Sequence, residues 1–214
     1  MKEKTVDPRL EKLRGKLCVF EGHDLTGKSS VSKLLAQILN ANDIKTVWTF
    51  QPGDAAYGEH GPVIRSLCKD KKYDMHPLAN YFIFLADKVE VCSKVVKPAL
   101  EAGKTVISDR WSYSTVAYQI DGRGIGTLLG QYVWMSLDDH SVLGLKPDFV
   151  FYFPERLKVD RPKDAGDQWE TAGDSFMKKV QDSYEEQADQ HGWLRVHPGH
   201  SVEETLENLL DLLS

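Results

Sequence analysis

The chain has 214 residues, of which 41% are hydrophobic, 10% aromatic and 28% charged, the balance of one globular domain able to bury a core and unlike that of disordered or fibrous chains. Its formal net charge of -5 argues against bulk capture of nucleic acid, which needs a basic face to release counterions, so an anionic ligand would have to be held by a few convergent cations. No apolar run approaches the roughly 20 residues of a membrane-spanning helix, and neither an export leader nor a cysteine framework is legible: Glu3, Asp7 and Glu11 interrupt the N-terminus, and Cys18, Cys68 and Cys92 are widely dispersed. The expected setting is a reducing cytoplasm.

In chain order, residues 16–21 (KLCVFE) form a short apolar run that meets a glycine-rich turn, after which Val31, Leu34, Leu35 and Ile38 recur at helical spacing over 28–40. Residues 45–50 (KTVWTF) predict a second strand, ended by Pro52-Gly53. From Leu78 onward, Phe82, Leu85, Val89, Cys92, Val96 and Leu100 predict one long helix ending near Gly103, with Phe84 and Lys88 together on a different face. Residues 105–108 (TVIS) and 148–153 (DFVFYF) are continuous apolar runs, as expected of parallel strands covered on both sides. A weaker fifth run covers 193–196, and Ser201 with Glu204 gives a capping-box start to a final amphipathic helix. The charged segment 154–173, punctuated by Gly and Pro, reads as a surface loop or a lid.

Two motifs carry chemistry. Gly22-His23-Asp24-Leu25-Thr26-Gly27-Lys28-Ser29, followed by Ser30, matches the G-x-x-x-x-G-K-[ST] phosphate loop and lies between a strand and a helix, where such a loop must be. Its glycines let backbone N–H groups converge on phosphate oxygens beside the positive end of the helix. Lys28 is then expected at the β and γ phosphates, and Ser29 at Mg2+. Asp109 and Arg110 follow the 105–108 strand, at the C-terminal end where open sheets bind ligands; the carboxylate can reach the metal region and the guanidinium can present a planar fork to a phosphate.

Four segments, residues 20–29, Gln51-Pro52-Gly53 through Ile64-Arg65, Phe84-Leu-Ala-Asp-Lys88, and 106–119 with Asp109-Arg110-Trp111, Ser114, Ala117, Tyr118 and Gln119, make the chain resemble the thymidylate kinase family of nucleoside monophosphate kinases over nearly its whole length. That resemblance implies a doubly wound α/β fold of the P-loop NTPase type: a five-stranded parallel sheet, helices on both faces and a flexible lid, with residues 1–214 as one kinase domain. It implies transfer of the γ-phosphate of ATP to dTMP with Mg2+, and a homodimer built from helix faces. Arg110 would grip the acceptor phosphate, Phe84 stack on the base, Lys88 reach a base carbonyl and Gln119 the base edge. Asp24 would meet the deoxyribose or orient Arg110, and Pro52, Arg65, Ser114 and Tyr118 complete the acceptor pocket. Tyr184 borders that pocket by resemblance and reads as core packing by its neighbours Phe176 and Val180.

This sequence departs from the family pattern at several points. Lys88 stands for the usual arginine, Gln51 for the usual glutamate, residues 61–63 look inserted, and Leu25 occupies the place where some members carry a catalytic arginine. Arg156 or Arg161, in the 154–173 segment, is therefore expected to supply that charge. The alternatives are a kinase of different or broader base specificity and, more remotely, a GTP-dependent switch, although no Asn-Lys-x-Asp guanine motif occurs.

Overall fold

The computed structural model describes residues 6–70, 72–154 and 173–214; the lid candidates Arg156 and Arg161, like nearly all of 154–173, lie outside the described residues. Strands β1 (Leu17–Gly22), β2 (Thr46–Phe50), β3 (Thr105–Asp109), β4 (Phe149–Phe153) and β5 (Leu194–Arg195) form one sheet in the order β2-β3-β1-β4-β5. Every pairing is parallel. The α/β class and the five-stranded sheet are those expected from the sequence.

Alternation along the continuous apolar strands builds a core on each face. Leu17 and Val19 of β1 join Val150 and Tyr152 of β4 in a cluster with Val91, Val96, Trp111 and Tyr184. Cys18 and Phe20 turn the other way, with Phe151 and Phe153, toward Leu35 and Leu39 of the helix Lys28–Ala41 and Leu206 and Leu209 of the helix Val202–Asp211. That last helix starts on a Ser201 cap, which accepts the Glu204 N–H at 3.1 Å; the Glu204 carboxylate reaches one residue further back than a reciprocal capping box would, to the His200 N–H.

The single long helix expected over 78–103 is interrupted. Regular helix covers Pro77–Val91, a wider π turn follows at Cys92–Val96, and a short helix at Lys97–Glu101 closes the run. Pro98 lacks the N–H that would bond four residues back, and the widened turn is the local response. The expected buried stripe is also displaced. Leu85, Cys92 and Val96 are buried as anticipated, but Phe82 is 47% and Val89 38% exposed, while Asn80, Asp87 and Lys88 are buried. Each buried polar group has a partner from another element: Asn80 takes Arg123, Asp87 takes Gly53 and Tyr57, and Lys88 forms an ion pair with Asp138 of the helix Gln131–Ser141.

The Lys88 side chain is 1% exposed and that of Asp138 15%. Removing one member of so buried a pair strands the other charge. Asp138→Ala is therefore expected to lower unfolding free energy by about 3–5 kcal/mol in urea titrations, whereas a change below about 1 kcal/mol would show that Lys88 finds solvent instead.

Candidate active site

The parallel strands bring their C-terminal ends to one edge, and the strand order reverses direction between β1 and β3, the switch point at which such sheets hold ligands. β1 ends there in Gly22, at φ 137°, where a Cβ would lie 2.5 Å from the Phe153 carbonyl oxygen. Only glycine fits. The loop then closes on itself: Thr26 Oγ1 donates to the His23 carbonyl at 3.0 Å and Lys28 Nζ to the same oxygen at 2.7 Å. Gly27 begins the helix Lys28–Ala41 in a left-handed conformation with no side-chain cap, which leaves the first helical N–H groups for an anion. Burial, then the neighbouring Arg110, lowers the Lys28 ammonium to about 8, with Asp24 opposing at 3.8 Å.

Asp109 is in register with Phe20 of β1 on one side and Phe50 of β2 on the other. Its Oδ2 accepts the Ser29 hydroxyl, while its Oδ1 is buried without a partner. Two hard oxygen groups thus meet at the mouth of the phosphate loop, the donor chemistry of Mg2+. Among the described residues there is no cluster of three or more His, Cys, Asp or Glu able to hold a metal, so other ligands would have to come from water and phosphate.

Arg110 is next, with φ 77°, a conformation that costs a non-glycine residue about 1–3 kcal/mol and persists only when its surroundings enforce it. Here they do. Its N–H donates to the Phe20 carbonyl at 3.0 Å and Ser108 Oγ donates to its carbonyl at 2.7 Å. The guanidinium donates to Asp24 Oδ1 at 2.6 Å, Ser114 Oγ at 2.9 Å, the Gly22 carbonyl at 3.1 Å and Tyr184 Oη at 3.1 Å, and it lies 5.4 Å from the Tyr118 ring centroid. Burial opposes the Asp24 charge, yet Arg110 and Lys28 outweigh it and hold the carboxyl well below the usual carboxylate range.

Under this constellation lies Glu21, fully buried. Its carboxylate accepts from the Trp111 N–H at 2.8 Å, the Ser114 N–H at 3.2 Å, the Ser114 hydroxyl and the Tyr184 hydroxyl at 3.2 Å. The two hydroxyls that hold Arg110 are thus themselves held by Glu21. Burial pushes the Glu21 carboxyl up, with Arg110 and the Ser114 and Trp111 hydrogen bonds opposing. A glutamate inside an otherwise apolar strand was the signal for it in the sequence.

A cleft opens beside Arg110, lined by Asp24, Gln51, Pro52, Lys69, Phe84, Arg110, Trp111, Ser114, Thr115, Tyr118 and Gln119. It gathers most of the residues expected at an acceptor, and adds Gln51, Lys69, Trp111 and Thr115. Arg65 supports it from behind, donating to the Pro52 carbonyl at 2.7 Å. Lys88 is not in it: its ammonium is buried against Asp138, so the expectation that it lines the acceptor pocket beside Phe84 is corrected. Gln119 is 1% exposed and neither of its amide atoms has a partner. The cleft wall at Pro52-Gly53 is pinned by Asp87, whose Oδ1 accepts the Gly53 N–H at 2.7 Å and the Tyr57 hydroxyl.

Comparison with known proteins agrees on one family. A family model described as thymidylate kinase matches residues 20–209. The chain is 33% identical to a thymidylate kinase of Thermosipho africanus over 77% of this chain and 80% of that protein, and 32% identical to one of Nitrosomonas eutropha over 94% and 93%. A crystal structure of the Ehrlichia chaffeensis thymidylate kinase superposes with a TM-score of 0.73 at 24% identity, covering 93% of this chain and 98% of that one, a likeness of fold.

Burial pushes Asp87 up to about 6 against its two hydrogen bonds, from an ordinary value of 3.8. The folded protein therefore holds this proton more tightly than the unfolded chain: the contribution to stability is full below about pH 4 and is lost as pH rises through about 6. Asp87→Asn is expected to remove that part of the decline in Tm between pH 4 and 6, followed by thermal melts; an unchanged slope would assign it to other groups.

Proposed function

The chain belongs to the thymidylate kinase family of phosphotransferases, and we propose that it transfers the γ-phosphate of ATP to dTMP, giving ADP and dTDP. The observation that carries this reading is Asp24, which lies 2.6 Å from the Arg110 guanidinium and 3.8 Å from Lys28 Nζ. One carboxylate links a phosphate loop to a second anion-binding cation, the arrangement a transfer between two phosphates requires.

In this reading the loop 22–29, with Ser30, cradles the ATP phosphates, and Lys28 bridges the β and γ groups. Mg2+ would be held by Ser29 and Asp109, whose unpartnered Oδ1 suits it, and when bound it neutralises charge on the phosphate oxygens. Arg110 orients the acceptor phosphate for in-line attack, while Phe84 and Gln119 take the base and Pro52, Ser114 and Tyr118 close the cleft. Such transfer needs positioning and charge stabilisation and no covalent intermediate. With Leu25 in the loop, the remaining cation comes from Arg156 or Arg161. Among the described residues no helix is long and apolar enough to cross a membrane, and a cytoplasmic setting suits the three buried free thiols. Exposed Val63, Phe82 and Val89, on the packed helices His60–Lys69 and Pro77–Val91, favour association of two copies.

Turnover of a panel of nucleoside monophosphates at fixed ATP tests the acceptor: dTMP is expected to give the highest kcat/KM, and equal or better turnover of dGMP or dCMP would overturn the assignment. Arg110→Ala should raise KM for dTMP and depress kcat with ATP binding little changed; loss of ATP affinity alone would contradict the division of labour. At pH 8, ATP binding should take up protons as the phosphates restore the charge of Lys28, up to about half a proton for a group with that midpoint. Calorimetry in buffers of different ionisation enthalpy would read this, and Lys28→Met should abolish it.

A further inference from the structure

Gln51 leaves β2 where the strand lies against β3: Phe50 is in register with Asp109, and the Gln51 N–H donates to the Asp109 carbonyl at 3.0 Å. Residues 51 and 110 therefore leave the sheet side by side, and both line the acceptor cleft. Gln51 is 7% exposed, and its Nε2 is buried without a partner. A donor in that condition has given up water and received nothing for it.

The cleft itself offers little to satisfy it. Phe84, Pro52 and Tyr118 present rings, Lys69 and Arg110 are donors, and the Asp24 carboxylate is already held by Arg110. The base end has its own unpaired amide in Gln119. What suits a buried N–H in a cleft that also holds a guanidinium is an anionic oxygen reached by both.

We infer that Gln51 is an acceptor-binding residue, its Nε2 donating to the 5'-phosphate of the monophosphate that Arg110 holds. This rests on the acceptor reading above and extends it to a position where the family pattern has glutamate, a side chain that when ionised accepts hydrogen bonds and donates none.

The test compares wild type with Gln51→Met, similar in length and free of the amide, and Gln51→Glu, which replaces the donor by a carboxylate. Binding of dTMP, dUMP, dCMP and dGMP is measured by calorimetry, binding of each parent nucleoside by competition at millimolar concentration, and Tm without ligand. For Gln51→Met, Kd for the preferred monophosphate should rise about tenfold or more, as for loss of a hydrogen bond to a charged group. Kd for its parent nucleoside should stay within about twofold, and Tm should hold or rise, because the unpaired donor is gone. Gln51→Glu should weaken monophosphate binding further at pH 8. Unchanged monophosphate affinity in both variants, a parallel loss for the nucleoside, or a fall in Tm that tracks the loss of binding would each overturn the inference. A wild-type preference for a base other than thymine would overturn dTMP as the acceptor and leave the Gln51 comparison readable on the preferred monophosphate.

Discussion

Asp24 stands between two buried cations, and the rest of the site is arranged around keeping that triad in place. Two positive side chains so close would repel each other and give up water for nothing; the carboxylate between them offsets both costs. Its position comes from the phosphate loop, its partner Arg110 from the end of β3, and its partner Lys28 from the first turn of the following helix. The phosphate loop with its following helix and the distant end of β3 are thereby tied at one point, with Glu21 and Tyr184 bracing the arginine from below.

Much of this was legible in the sequence, for definite reasons. Continuous apolar runs identify parallel strands because both faces are covered, so β1, β3 and β4 fall within about a residue of their expected bounds. The loop motif is recognisable because few residue types allow its backbone: Gly22 and Gly27 both have positive φ. Asp24 was expected either at the deoxyribose or orienting Arg110, and its carboxylate accepts from the Arg110 guanidinium at 2.6 Å.

What escaped the sequence is what depends on partners far along the chain. Periodicity ranks residues by apolarity, so it placed Phe82 and Val89 inside and Lys88 outside; the structure inverts this because Asp138, fifty residues on, neutralises Lys88. Asp87 and Gln51 escaped for a similar reason, since nothing local says that one pins a loop or that the other leaves its amide unmet. The interrupted helix escaped because the apolar periodicity runs unbroken past Pro98, whose missing N–H falls where the turn widens.

Asp109 and Arg110 are consecutive, and the unusual backbone between them sends a carboxylate toward Ser29 and a guanidinium toward the cleft. The points from which the two side chains leave the sheet are therefore separated by a single planar peptide unit. Because both residues stand at the same end of β3, breathing of the surrounding helices would carry the Ser29 side and the cleft side together rather than apart.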